Sequence, residues 1–182
     1  MTAVPSITSL LGDTGRFFDA LADGMARYGL PLDLGPMDHI CYRAADKREY
    51  LDLRECLHAH GDNLMEGMIG GRPIMTFRLG APLTSPFGPI DCLELAAPKP
   101  GKRHHPGLEH GEIVVPDLHR LQSAHPRVPF DDRALAQSPP ELSLSLPPYQ
   151  IKFHPRSLAD TIAEEIALGL VLPVPAVYFR TP

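Results

Sequence analysis

The sequence predicts an α+β fold assembled from two similar halves, a curved mixed sheet with its helices outside and an added N-terminal helix. Three observations carry this prediction. Pro36 to Arg43 (PMDHICYR) and Gly107 to Pro116 (GLEHGEIVVP) each place an acid directly before a histidine, then run into a short apolar stretch of strand character. His39 and His110 lie about seventy residues apart, roughly half a domain. Each half also closes on a similar strand, Asp91 to Leu95 (DCLEL) and Gln150 to His154 (QIKFH). Aligned on apolar positions, Leu93 matches Ile151, Leu95 matches Phe153 and Glu94 matches Lys152. Between these strands the apolar spacing turns helical, so helices and strands alternate.

The elements follow in order. Gly15 to Leu30 reads as an amphipathic helix, with Phe17, Leu21, Met25 and Tyr28 on one face. Asp13 or Thr14 caps it, Ser6 can start an earlier turn, and Gly29 followed by Pro31 stops it. Its Phe and Met stripe is core, packed on the outside of the sheet. Met37 to Arg43 is the first strand. Asp46 with Glu49 makes a capping-box arrangement for a helix that buries Tyr50, Leu53 and Leu57 and ends at Gly61. Asn63 to Ile69 and Arg72 to Leu79 form a hairpin, because Gly70-Gly71 permits the positive φ of a tight turn. Pro89 to Leu95 ends the first half.

Ala96 to Pro106 (AAPKPGKRHHP) is an exposed crossing in which His104 and His105 read as solvated. Glu109 to Val115 opens the second half, and Asp117 caps a short helix through Leu121. Val128 to Gln137 is ambiguous. Glu141 to Leu146 alternates Leu142, Leu144 and Leu146 with polar residues, as a half-buried strand does. Tyr149 to His154 follows. Ser157 caps a last helix with Leu158, Ile162 and Ile166 facing inward, and Gly169 ends it. The expected division is residues 1–35 (helical segment), 36–97 (first module), 98–106 (linker), 107–156 (second, shorter module) and 157–182 (helix and Pro-rich tail).

Composition narrows the function classes. The chain has 182 residues, is 43% hydrophobic and carries a net charge of -5, enough for a real core and without the basic surface that nucleic acid requires. Its three cysteines form no CxxC pair, which suits a reducing compartment. No signal-peptide pattern and no apolar run of membrane-spanning length occur. The expectation is a soluble cytoplasmic protein, monomer or homodimer, without nucleic-acid or membrane partners.

The site reading comes from strand alternation. If Leu93 and Leu95 pack behind the sheet, Glu94 faces the other way. His39, Glu94 and His110 then meet, with Lys152 in the fourth equivalent place. Two histidines and one carboxylate make an open divalent-metal site. A carboxylate buried on an apolar strand needs such a partner. The donors suit Fe(II), which is favoured, and also Mn(II), Zn(II), Ni(II) or Co(II). Cys41 and Cys92 fall on the same faces as His39 and Glu94 and line the cavity as small apolar groups. Glu112, two residues after His110, is a general base, a hydrogen-bond partner for a histidine, or a ligand. Lys152 anchors an anionic substrate or pairs with Glu112. His154 shares its face and can move a proton. Arg72 clamps a substrate carboxylate or sits solvated at the hairpin.

The motifs DHICYR, GGRPI and CLEL of the first half, with LEHGEIV and IKFHP of the second, resemble the YecM family of the vicinal oxygen chelate superfamily. The resemblance spans about Met37 to Ser157. It implies paired βαβββ modules curled into a cup around one metal, with ligands falling on His39, Glu94 and His110. Many superfamily enzymes place a fourth ligand where this chain has Lys152. A protonated lysine has no lone pair to offer, so three protein ligands are expected, with Lys152 close by. The implied function is a metal-dependent oxygenase, isomerase or lyase. Its substrate is a small oxygenated molecule, with Glu112, Lys152 and His154 as catalytic groups. The alternative is a non-catalytic small-molecule binder of the resistance-protein type.

Overall fold

The computed structural model describes residues 5–101 and 104–180. Two helices come first, α1 (Ile7–Leu11) and α2 (Thr14–Arg27). Asp13 accepts the Arg16 N–H and so caps α2, which buries Phe17, Phe18, Leu21 and Met25. The first half runs β1 (Met37–Arg43), α3 (Lys47–Leu57), β2 (Gly61–Ile69), β3 (Arg72–Ser85) and β4 (Gly88–Ala96). The second runs β5 (Gly107–Val114), α4 (Leu118–Ala124), β6 (Leu142–Leu146) and β7 (Tyr149–His154). A last helix, α5 (Leu158–Ala167), follows. No helix among the described residues is long and apolar enough to cross a membrane.

All seven strands form one mixed sheet in the order β2-β3-β4-β1-β5-β7-β6. The halves join through the antiparallel pair β1–β5, in which His39 faces Glu112 and Cys41 faces His110. Each half then repeats one register. β4 runs parallel to β1 with His39 opposite Cys92, and β7 runs parallel to β5 with His110 opposite Gln150. Glu94 and Lys152 lie two residues beyond those partners, so they are equivalent positions. The expected pairing of Glu94 with Lys152 therefore holds at the level of hydrogen-bond register.

The second half is one strand short of a βαβββ unit. Val128 to Gln137 forms no strand; a single bridge, Asp131 to Ser143, stands where an edge strand would lie. Arg133 holds Asp131 in an exposed ion pair there, and the neighbouring prolines cannot donate to a ladder. In the first half, β3 runs on past Leu79 to Ser85, with an irregularity between Arg78 and Leu83.

One face of the sheet carries the main core. Ile40, Leu93, Leu95, Phe77, Ile113, Ile151 and Phe153 pack there with the apolar faces of α2 and α3. The close fit shows at Gly111, where a Cβ would meet Met37 Sδ at 2.7 Å and Leu21 Cδ1 at 3.2 Å. The opposite face carries the histidines above a small apolar floor of Cys41, Ile74 and Ala96.

The last helix departs from the expectation that every helix lies outside. Leu158 at its start donates its N–H to Asp38 on β1. Just past its end, Met68 on edge strand β2 donates to the Leu172 carbonyl. A Cβ on Gly67, on the histidine-bearing face, would meet Val171. Three strand spacings separate β1 from β2, about 14 Å, and ten helical residues span about 15 Å. The helix therefore crosses the face that carries the histidines. Ile162 is its buried residue, whereas Ile166 is 54% exposed rather than inward-facing.

Candidate metal centre

β1, β4 and β5 bring four side chains together. One ligand atom each from His39, Glu94, His110 and Glu112 lies within 4.8 Å of the others. Glu112 Oε1 stands 3.5 Å from His39 Nε2 and 3.0 Å from His110 Nε2. Glu94 Oε2 stands 4.0 Å from His39 Nε2. Both histidines are almost wholly buried, and neither Nε2 has a hydrogen-bond partner. A buried polar atom left unpaired carries a desolvation cost of about 1–3 kcal/mol. Two such atoms facing two carboxylates are suited to a shared cation.

The acid before each histidine has a specific role. The β1–β5 register shifts at two places, and the extra residues are Asp38 and Glu109. A bulge re-aims a side chain that would otherwise alternate away. Asp38 Oδ1 thereby reaches His39 Nδ1 at 3.0 Å, and Glu109 Oε1 reaches His110 Nδ1 at 3.4 Å. The first is a hydrogen bond; the second is an electrostatic contact only. A carboxylate behind Nδ1 fixes the ring and leaves Nε2 free to coordinate. Asp38 is itself held by the His154 ring at 3.1 Å and the Leu158 N–H at 2.6 Å. Glu109 is clamped by Arg43 through both Nε and Nη2.

Lys152 is the fourth equivalent group. Its Nζ lies 3.2 Å from Glu112 Oε1 and 3.0 Å from Glu141 Oε2. Burial disfavours its charge, but Glu112 and Glu141 outweigh burial and raise its pKa. The same contest runs through the cluster. Burial would neutralise His39, yet the charge of Glu112 and the hydrogen bond to Asp38 hold its pKa well above the usual imidazole value. His110 is also raised, burial being overcome by Glu109 and Glu112. Burial would push Asp38, Glu109 and Glu112 up, but their cationic and hydrogen-bonding neighbours hold all three below the ordinary carboxylate range. Metal-free, the site is a dense network of opposite charges.

Comparison with known proteins now bears on identity. The family model described as "YecM protein" matches residues 6–137. The chain belongs to the YecM family. Protein YecM of Escherichia coli (strain K12) is 29% identical over 182 residues, covering 90% of this chain and 96% of that protein. A solved structure titled "Structural Genomics, Protein EC4020" superposes with a TM-score of 0.74 at 30% identity, covering 87% of this chain and 91% of that one. This YecM-family chain therefore shares sequence with both proteins, and its fold with the solved structure, along most of its length.

Within this YecM-family fold the expected residues separate into groups. His39, Glu94, His110 and Glu112 meet. Lys152 touches Glu112, and His154 joins Asp38 on the flank of His39, with the two imidazole centroids 5.6 Å apart. Arg72 does not join that group; it stands at the start of β3, four residues before the Thr76 that pairs with Glu94, where the charges of Arg43, Glu109 and Glu94 still reach it. It is not a solvated hairpin arginine: its Nε is buried without a hydrogen-bond partner. His104 is not simply solvated either, since its Nε2 bonds the Ala44 carbonyl at 3.2 Å. Cys41 and Cys92 are buried free thiols on the site face.

Four contributors lay outside the sequence reading. Asp38 and Glu109 are visible as a repeated acid-His pair, but regular alternation turns neighbours to opposite faces, and only the bulges bring each acid back to its histidine. Glu141 precedes β6 and gave no signal. Thr76 is fully buried opposite Glu94 with its Oγ1 unpartnered, and a threonine on a strand is ordinary.

Proposed function

We propose that this chain is a metal-dependent enzyme of the vicinal oxygen chelate type. It acts as an oxygenase or as an isomerase or lyase on a small, anionic, oxygenated organic molecule. One observation carries the reading: the buried, unpartnered Nε2 atoms of His39 and His110 face Glu94 and Glu112. Imidazole and carboxylate donors suit Fe(II), Mn(II), Zn(II), Ni(II) or Co(II). His39, Glu94 and His110 would hold the ion, with Glu112 within reach as a fourth donor where the sequence led to three. Bound there, the cation supplies Lewis-acid stabilisation of developing negative charge. The pairing of strands in two equivalent halves supports the superfamily architecture, with the edge strand of the second half reduced to one bridge.

The chain's own groups then have defined tasks. Lys152, kept charged by Glu112 and Glu141, attracts an anionic substrate group. Asp38 and Glu109 hold the two imidazoles in one orientation. His154, backed by Asp38, moves a proton at the substrate. The last helix covers the site and excludes water.

The Lys152–Glu112 ion pair supports a second reading, a non-catalytic small-molecule binder, because it gives the cluster an internal counter-charge. Elemental analysis after anaerobic purification separates the two. The enzyme reading expects about one equivalent of a transition metal, lost in His39→Ala and His110→Ala and retained in Lys152→Met. Less than about a tenth of an equivalent, with no uptake on titration, overturns it in favour of the binder.

A further inference from the structure

A second polar site lies at the end of the sheet beyond the metal centre. There a cavity of about 220 Å³ is lined by Arg43, Lys99, His104, His105, Leu108 and Glu109. Drug-sized ligands fill about 300–1,000 Å³, so this one suits a smaller group. Its charge is unbalanced. Arg43 is neutralised by its two contacts with Glu109. Lys99 makes no ion pair among the described residues, and neither does Arg72. Their cationic heads nevertheless converge. Both approach the point where a Cβ on Gly70 would sit, Arg72 Nη1 at 3.3 Å and Lys99 Nζ at 3.9 Å. Arg72 is half-buried, and its Nε lies in the interior with no acceptor. Burial and the nearby charge of Arg43 lower its pKa, outweighing the opposing charges of Glu109 and Glu94. His105, exposed at the rim, adds a further donor.

We propose that the notch over Gly70 where Arg72 and Lys99 converge, at the edge of this cavity through Lys99, binds a doubly charged oxyanion, a phosphate group first among them, held by those two cations. Two converging cations without an ion-pair partner among the described residues suit a doubly charged anion. Guanidinium donors match the oxygen geometry of phosphate in pairs, and the ammonium supplies a third direction. Gly70 keeps the space between the two heads open, since a side chain there would occupy it. The site stands independently of the metal reading, because none of these residues belongs to the His/Glu cluster. It is still in contact with that cluster. Arg43 clamps Glu109, and Glu109 lies 3.4 Å from His110 Nδ1, so an anion drawing on Arg43 alters the support of one histidine.

The test is calorimetric titration of inorganic phosphate into the full chain stripped of metal by a chelator and dialysed. The expected result is one phosphate per chain with Kd of about 1 mM or tighter, and acetate at least about tenfold weaker. Lys99 sits on the crossing segment outside the core, so Lys99→Met keeps the fold, checked by thermal unfolding. It should weaken phosphate at least about tenfold, as should Arg72→Met, while Lys152→Met leaves it unchanged. Absence of saturable binding below about 10 mM overturns the proposal. Equal affinity for acetate, or an unchanged Kd in Lys99→Met, overturns it as well. Loss of phosphate binding in Lys152→Met places the anion at the metal cluster and overturns it too.

Discussion

Asp38 sits at the junction of three elements. Its carboxylate holds His39 from β1, His154 from β7 and the first N–H of the last helix. Removing its charge while keeping its shape isolates the electrostatic part. Asp38→Asn should lower metal affinity about 10–100-fold, the usual cost of losing a carboxylate behind a ligating histidine. Glu109→Gln should cost less, because its contact with His110 Nδ1 is 3.4 Å and completes no hydrogen bond. Competition against a chromophoric chelator ranks the two, and equal losses would sink this explanation of the bulges.

The site's titrating groups also set a pH window for the metal-free chain. Asp38, Glu109 and Glu112 are held below their ordinary values of 3.8 and 4.5. Their contribution is full above that range and is lost as pH falls through the depressed values. His39 and His110 are raised above 6.5, so theirs is full below 6.5 and is lost as pH rises through the raised values. From these groups, metal-free stability should peak between about pH 4.5 and 6.5. Metal requires neutral imidazole, so loading should move the maximum above that window. Urea unfolding across pH, with chelator and with metal, checks both signs.

At the scale of elements, the β1–β5 pair is the hinge of the design. It joins the halves and carries both histidines, both bulges and Glu112. Gly35, just before β1, lets the chain pass against the end of β5. A Cβ there would lie 1.9 Å from the Val114 carbonyl oxygen, which is backbone and cannot swing away. Gly35→Ala should therefore destabilise the chain by roughly 3 kcal/mol or more, read as a lower urea midpoint. Gly12→Ala has open space around it, and its cost comes from the backbone alone: φ +83 with ψ -158 is a region that essentially only glycine adopts, so about 1–3 kcal/mol is expected. Similar losses at both positions would mean that the β1–β5 approach is less rigid than the packing implies.

At the scale of the whole molecule, the His/Glu cluster draws on both halves of the sheet. Glu94 and His39 come from the first, His110 and Glu112 from the second. An ion bound there would thus cross-link halves that, among the described residues, share one strand pair. At about a thousand times its Kd, a ligand that binds only the folded state stabilises it by about 4 kcal/mol. For a chain of this size that raises Tm by about 10 °C. Thermal unfolding with and without the cognate metal measures it, and Glu112→Gln should lose most of the gain. An unchanged Tm under saturating metal would argue that the ion never engages both halves.

The sequence by itself determined much of this protein. The repeated acid-His strands, the alternation around Glu94 and the capping residues Asp46, Asp117 and Ser157 are local signals. Local signals survive without knowledge of distant contacts. They placed the elements and named the four residues that meet. Three things were decided only by the tertiary structure. Strand alternation assigns neighbours to opposite faces, so Asp38 and Glu109 could join their histidines only once the bulges appeared in the pairing of β1 with β5. The last helix has an amphipathic pattern that does not say which face of a sheet it covers; its tie to Asp38 and the seat of Val171 over Gly67 decided that. Arg72 meets Lys99 over Gly70, because the hairpin turn and the crossing segment lie side by side in space, and nothing in the spacing of residues 72 and 99 foretells it. Periodicity encodes direction from the backbone, whereas the company each side chain keeps is set by which strands lie side by side.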